Sequence, residues 1–91
     1  MRSKIVAGNW KMNNNQDETE SLLTDLKNNL PSTTAEVIVA PTFVNLAQAT
    51  SAVKDSAIQV AAQNMHFAAN GAFTGEISAD MLLNIGVDTV I

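Results

Sequence analysis

Apolar and β-branched residues are concentrated in four short stretches of the chain, which are separated by longer and more polar segments. The stretches are "KIVAG" from Lys4, "EVIVA" from Glu36, "IQVAA" from Ile58 and "DTVI" from Asp88. Each contains adjacent apolar residues and lacks strict alternation with polar ones, a pattern typical of strands that are covered on both faces. The pattern therefore predicts four parallel strands flanked by helices.

Three segments between these stretches carry apolar residues at helical spacing. They are residues 17–29, 45–53 and 78–85. Asn15 or Asp17 is placed to cap the first helix, with a glutamate three residues further on. Gly86 follows the third helix in the position where a left-handed residue commonly ends a helix. The order of elements is therefore βαβαβαβ.

Strand–helix–strand units of this length indicate right-handed crossovers and a parallel sheet, which two architectures can provide. A doubly wound sheet usually has a glycine-rich turn after its first strand. The segment "GNWKMN", which starts at Gly8, has a single glycine and bulky residues instead. A (β/α)₈ barrel has no such requirement, and four strands would make half of the ~8 that close it.

Length and composition narrow the class of protein. The chain has 91 residues, which is enough for one domain, and it carries five basic and nine acidic residues for a net charge of −4. This charge argues against nucleic acid or an anionic membrane as a main partner. The lack of cysteine fits a reducing compartment such as the cytosol, and no apolar stretch approaches the ~20 residues that a membrane-spanning helix needs.

The segment directly after the first predicted strand is the first candidate for chemistry. Asn9, Trp10 and Lys11 follow that strand, and residues just past the carboxyl ends of parallel strands form the functional face of α/β proteins. An amide beside an ammonium can bind an anionic, oxygen-rich ligand. The alternative is a solvated lysine, a capping asparagine and a packed tryptophan.

The second candidate is the segment "QNMHFAANGAFTGEI", residues 63–77, which has no clear period. Connections of this length are usually functional or disordered, and this one is too apolar for disorder. Gly71 and Gly75 bracket Phe73 and Thr74, which suits a sharply turned tip. The loop therefore either docks against a partner or folds back onto its own chain.

The remaining polar residues point to structural roles. His66 is the only histidine and has no cysteine or second histidine to share a metal, so we interpret it as a structural loop residue and expect no metal site. Glu76 could pair with an arginine outside this sequence. The acidic residues of the first helix are expected to form a solvated face. They are Asp17, Glu18, Glu20 and Asp25.

Four motifs in this order resemble one family, the triosephosphate isomerases, over the whole chain. They are "AGNWKMN", "VAPTF", "AAQNM" and "GAFTGEIS". The resemblance implies that residues 1–91 are the N-terminal half of a single (β/α)₈ barrel domain. It also implies a cytosolic, cofactor-independent isomerase of glycolysis and gluconeogenesis, which interconverts dihydroxyacetone phosphate and glyceraldehyde 3-phosphate through an enediolate.

By position, the resemblance assigns catalytic and substrate-binding roles to Asn9 and Lys11, with Trp10 between them in the substrate-binding segment. The positive charge of Lys11 would then be balanced by the substrate's phosphate and enediolate.

The resemblance also implies a homodimer formed through the 63–77 loop. Phe73, Thr74 and Gly75 match the loop tip that enters the other subunit, and Met12 matches a residue that this tip covers.

The family's electrophilic histidine, its general-base glutamate and its phosphate loops have no counterpart among the 91 residues, and His66 lies on the wrong loop to replace that histidine. We therefore expect residues 1–91 alone to be almost inactive. One alternative is a non-catalytic half-barrel that acts as a structural or self-association module through its open sheet edges. A weaker one is a module that binds a phosphorylated small ligand through Lys11 alone.

Overall fold

A computed structural model describes residues 3–91 as a parallel sheet with helices packed beside it. The strands are β1 (Ile5–Asn9), β2 (Glu36–Ala40) and β3 (Gln59–Val60), and the sheet order is β1-β2-β3. The helices are α1 (Gln16–Asn29), α2 (Leu46–Val53), which is preceded by a short 3-10 helix (Phe43–Asn45), and α3 (Ala79–Asn84). Both strand pairs are parallel, so the predicted α/β order is confirmed.

Helix α1 begins after Asn15, one of the two cap residues that the sequence predicts. The Asn15 side chain accepts a hydrogen bond from the Glu18 backbone N–H at 2.9 Å, and the Glu18 carboxylate accepts one from the Asn15 N–H at 3.0 Å. This reciprocal pair satisfies two of the N–H groups that the first turn of a helix leaves unpaired. The other end lies just before Pro31, which cannot continue a helix.

The hydrophobic core lies between the sheet and the helices. Val39 of β2 and Val60 of β3 are partners in the strand register, so their side chains share one face of the sheet. Leu23 of α1 and Leu46 of α2 are fully buried in the same cluster. Leu82 and Val87 extend the cluster toward the end of the chain. The core thus anchors the strands whose carboxyl ends form the candidate site.

The last two strands are shorter than the sequence predicts. β3 covers two residues, and the fourth stretch pairs with the sheet through a single parallel bridge between Ala62 and Val90. Ala62 donates to the Thr89 carbonyl at 2.9 Å and accepts from the Ile91 N–H at 3.0 Å. The bridge therefore places the fourth stretch beside β3 in the expected parallel sense.

The expectation of two covered faces is wrong for β1, because all five of its residues are exposed in this chain. β1 is an edge strand, whereas α1 packs on α2 and α2 packs on β3. An apolar groove of about 440 Å³ lies beside it, lined by residues that include Val6, Trp10, Leu26 and Val37. Within residues 3–91, no helix is both long and apolar enough to cross a membrane.

Candidate functional site

The carboxyl ends of the three parallel strands meet at one edge of the sheet, where the loops after β1 and β3 are joined. The Trp10 N–H donates to the Ala40 carbonyl at 3.2 Å. The Gln63 side-chain amide donates to the Lys11 carbonyl and to the Ala40 carbonyl, both at 2.8 Å. One glutamine thus ties the segment that contains Lys11 to the ends of two strands.

Lys11 has an unusual backbone conformation, with φ at +55°. This left-handed region costs a non-glycine residue about 1–2 kcal/mol, so the surrounding contacts must hold it. The Lys11 N–H donates to the Asn9 side-chain oxygen at 2.9 Å, and the Lys11 carbonyl accepts from Gln63. The Asn13 side chain also donates to the Trp10 carbonyl at 2.7 Å. The turn around Lys11 is therefore held from three directions.

The charge of Lys11 is available to a ligand. Among residues 3–91, the contacts between a basic and an acidic side chain are Lys27–Asp55 and His66–Glu76, and neither includes Lys11. Asn9 and Lys11 are both exposed. Because the Asn9 side-chain oxygen accepts from the Lys11 backbone, its NH₂ group is directed to donate elsewhere. The pair can therefore offer a neutral donor and a full positive charge to an anion.

Trp10 contributes its backbone and its ring to different parts of the protein. Its N–H lies at the strand edge, whereas its half-buried side chain packs against the hydrophobic core and lines the groove beside β1. This placement supports a packing role for the ring. Substrate binding by Trp10 stays a prediction.

The 63–77 loop projects apolar residues into solvent. Its base is closed by a hydrogen bond of 2.7 Å from the His66 N–H to the Ile77 carbonyl. Phe67 is 89% exposed, and the Phe73 to Gly75 tip is exposed as well. Met12, after β1, is 92% exposed. Among the described residues these apolar side chains are open to solvent, and docking of the loop on a partner stays a prediction.

His66 and Glu76 form a pair that the sequence did not reveal. The His66 Nδ1 lies 3.1 Å from the Glu76 carboxylate, so Glu76 has a partner within its own loop. A pairing of Glu76 with an arginine outside this sequence stays a prediction. The His66 ring also packs against Phe67 and Phe73, with centroid distances of 4.6 and 4.3 Å. Residues 3–91 contain no cluster of three or more side chains suited to a metal. These contacts support the structural interpretation of His66.

Gln63 is the site residue that sequence reasoning missed. It lies within the motif "AAQNM", but nothing local in the sequence assigns its side chain to Lys11, 52 residues away. Only the side-by-side arrangement of parallel strands brings the two segments together.

Comparison with known proteins points to one family. The sequence model of the family described as triosephosphate isomerase matches residues 4–91. Proteins named triosephosphate isomerase from Flavobacterium psychrophilum and Flavobacterium johnsoniae are 62% and 61% identical over the whole of this chain. The protein of that name from Clostridium acetobutylicum is 53% identical. The chain spans 37% of the length of each of these relatives.

The family model covers nearly all of the chain, and its fold agrees with the parallel α/β arrangement of the described residues. This protein chain therefore belongs to the triosephosphate isomerase family.

Proposed function

We propose that this chain is part of an enzyme that interconverts dihydroxyacetone phosphate and glyceraldehyde 3-phosphate, and that Asn9 and Lys11 bind the substrate. The observation that carries the proposal is the left-handed backbone of Lys11, which Asn9 and Gln63 hold at the carboxyl edge of the sheet. Strained residues of this kind cluster at functional sites. The names of the relatives support the choice of substrate.

In the proposed reaction, a base outside these 91 residues removes a proton from the carbon beside the carbonyl. The resulting enediolate is reprotonated on the neighbouring carbon, so no cofactor is consumed. The Lys11 ammonium stabilises the negative charge that develops on the substrate oxygen, and the Asn9 amide donates to that oxygen. Donors that are already in place cost no reorganisation during the reaction, which is the main source of their effect.

The proposed enzyme is a cytosolic homodimer that works in glycolysis and gluconeogenesis. Phe73, Thr74 and Gly75 would insert beside Asn9 and Lys11 of the other subunit and cover Met12. The exposure of this loop tip and of Met12 supports the proposal, because apolar residues left in water are stabilised when a partner covers them.

A full-length hybrid tests the role of Lys11. In this hybrid, residues 1–91 replace the matching segment of the Flavobacterium psychrophilum relative. Lys11→Met removes the charge and keeps most of the side-chain volume, and it should lower kcat/KM by ~10²-fold or more, as loss of an electrostatic donor typically does. Lys4→Met is the matched control, because Lys4 precedes β1 at the opposite end of the strand.

Three results would contradict the proposal. They are an unmodified hybrid without isomerase activity, a Lys11→Met variant as active as the control, and robust activity of the isolated 91 residues that does not depend on Lys11. The 91 residues alone should show almost no turnover, because loss of the acid and base groups typically costs ~10² to 10⁴ in rate.

A self-association module is the second candidate function, and the exposed edge strand β1 and its apolar groove favour it. Such an edge has unpaired backbone groups that another copy could satisfy. Light scattering on the 91-residue chain separates the two candidates. A monomer that unfolds in one cooperative transition would contradict the module.

A further inference from the structure

The shape of the 63–77 loop depends on a small number of contacts, because no helix or regular strand lies within it. His66 makes several of these contacts. Its backbone N–H closes the loop base on Ile77 at 2.7 Å, its Nδ1 lies 3.1 Å from the Glu76 carboxylate, and its ring lies 4.3 Å from that of Phe73. One residue therefore connects the base of the loop, its returning segment and its tip.

The loop tip is restrained from a second side. A Cβ atom added at Gly71 would lie 2.8 Å from the Phe73 ring, so the ring rests directly on the Gly71 backbone. The Glu76 N–H donates to the Phe73 carbonyl at 3.1 Å and closes the turn that contains Thr74. Phe73 thus contacts both the Gly71 backbone and the His66 ring, and Thr74 follows it at the end of the loop.

His66 and the tip differ in their exposure to solvent. The His66 side chain is 19% exposed, whereas Phe73 is 47% exposed and Thr74 lies at the surface. The shielded ring is therefore poorly placed to provide contact area for a partner. Any effect of His66 on association must act through the residues that it holds.

We propose that His66 is a positioning residue, which holds Phe73 and Thr74 in the conformation that docks on a second copy of this chain. The inference rests on the homodimer proposed above. A loop that already has its bound shape loses less conformational freedom on association, so it binds more tightly. His66 thereby sets the strength of dimerisation without touching the substrate.

The full-length hybrid is suited to the experiment, with the dimer dissociation constant measured by sedimentation and the activity per subunit measured across protein concentrations. His66→Ala removes both the carboxylate bond and the ring contact, and it should raise the dissociation constant by about tenfold, as expected for a lost bond to a charged group. His66→Phe keeps a ring against Phe73 and loses the bond to Glu76. It should give a smaller increase, and it serves as the test if His66→Ala does not fold.

Glu76→Gln changes the other member of the His66–Glu76 pair. Asp25→Asn, on the exposed face of α1, is its charge-matched control. Glu76→Gln should weaken the dimer, because a neutral acceptor binds the His66 N–H less strongly than a carboxylate does. Asp25→Asn should leave the dissociation constant unchanged. At protein concentrations that saturate the dimer, every variant should recover the kcat and KM of the unmodified hybrid.

The inference is overturned if His66→Ala and His66→Phe dimerise like the control. It is also overturned if their activity stays low when all subunits are dimeric, since a positioning role acts on association only. An unmodified hybrid that is monomeric would instead refute the homodimer proposal, and the inference with it. Dimerisation of the unmodified hybrid therefore shows which of the two has failed.

Discussion

Replacing Gln63 with alanine would test whether tertiary contacts hold Lys11 in its strained conformation. The Gln63 amide donates to the carbonyls of Lys11 and Ala40, both at 2.8 Å. The variant removes both bonds. Ala40 keeps its bond from the Trp10 N–H at 3.2 Å, and the Lys11 carbonyl lies in an exposed segment where water can replace the amide.

The expected size of the effect follows from these two bonds. A neutral hydrogen bond contributes about 0.5–1.5 kcal/mol net, so the free energy of unfolding should fall by ~1–2 kcal/mol, given that both acceptors find other partners. The bond to Lys11 alone is comparable to the ~1–2 kcal/mol cost of a left-handed residue. The fraction of molecules with Lys11 in place should therefore fall, and kcat/KM with it, by roughly 2- to 10-fold.

The assay is isomerase activity of the full-length hybrid together with urea unfolding of the same protein. Gln48→Ala is a matched control, because the Gln48 amide also donates two hydrogen bonds, at 2.8 Å to the Gln16 carbonyl and at 3.1 Å to the Glu20 carboxylate. These two bonds join α1 to α2 and lie away from the site. The two variants should lose similar stability, and only Gln63→Ala should lose activity. Equal activity losses in both, or none in Gln63→Ala, would refute the argument.

Two further predictions concern stability, measured by urea unfolding. Asn15→Ala removes the α1 cap and should lower the free energy of unfolding by about 1 kcal/mol. Asn15→Ser keeps a capping oxygen and should have nearly the stability of the parent. Equal losses of stability in the two variants would contradict the capping role. The Lys27 ammonium lies 2.7 Å from the Asp55 carboxylate, and its hydrogen bond and positive charge lower the pKa of Asp55 below the ordinary value of 3.8. The pair therefore stabilises the fold above that pH, and this stabilisation is lost as the pH falls through the lowered pKa. The stability difference between the parent and Asp55→Asn should therefore shrink below pH ~4, and a difference that grows with acidity would show that the pair is not its source.

Local signals predicted most of the fold. The capping box of Asn15 and Glu18, the end of α1 before Pro31 and the left-handed Gly86 at φ +87° involve residues within a few positions of each other. The apolar runs likewise indicated that the strands are parallel. These features were predictable because the forces that form them act over a few residues of sequence.

The length of each strand, and whether other elements pack over it, were less predictable. Val90 pairs through one bridge, and β1 is exposed along its length, although both stretches have the composition of covered strands. How far a strand extends and what covers it depend on neighbours elsewhere in the chain, which an apolar run does not specify.

The sequence by itself determined the family, the βα order and the position of Asn9 and Lys11 at the carboxyl end of the first strand. Short motifs and local periodicity are sufficient to indicate each of these features. Only the tertiary structure decided that Gln63 holds Lys11 from 52 residues away and that His66 pairs with Glu76. Contacts of this kind form between segments that the packed sheet, or the closed loop, brings side by side. Their distances along the chain carry no period that a sequence pattern could reveal.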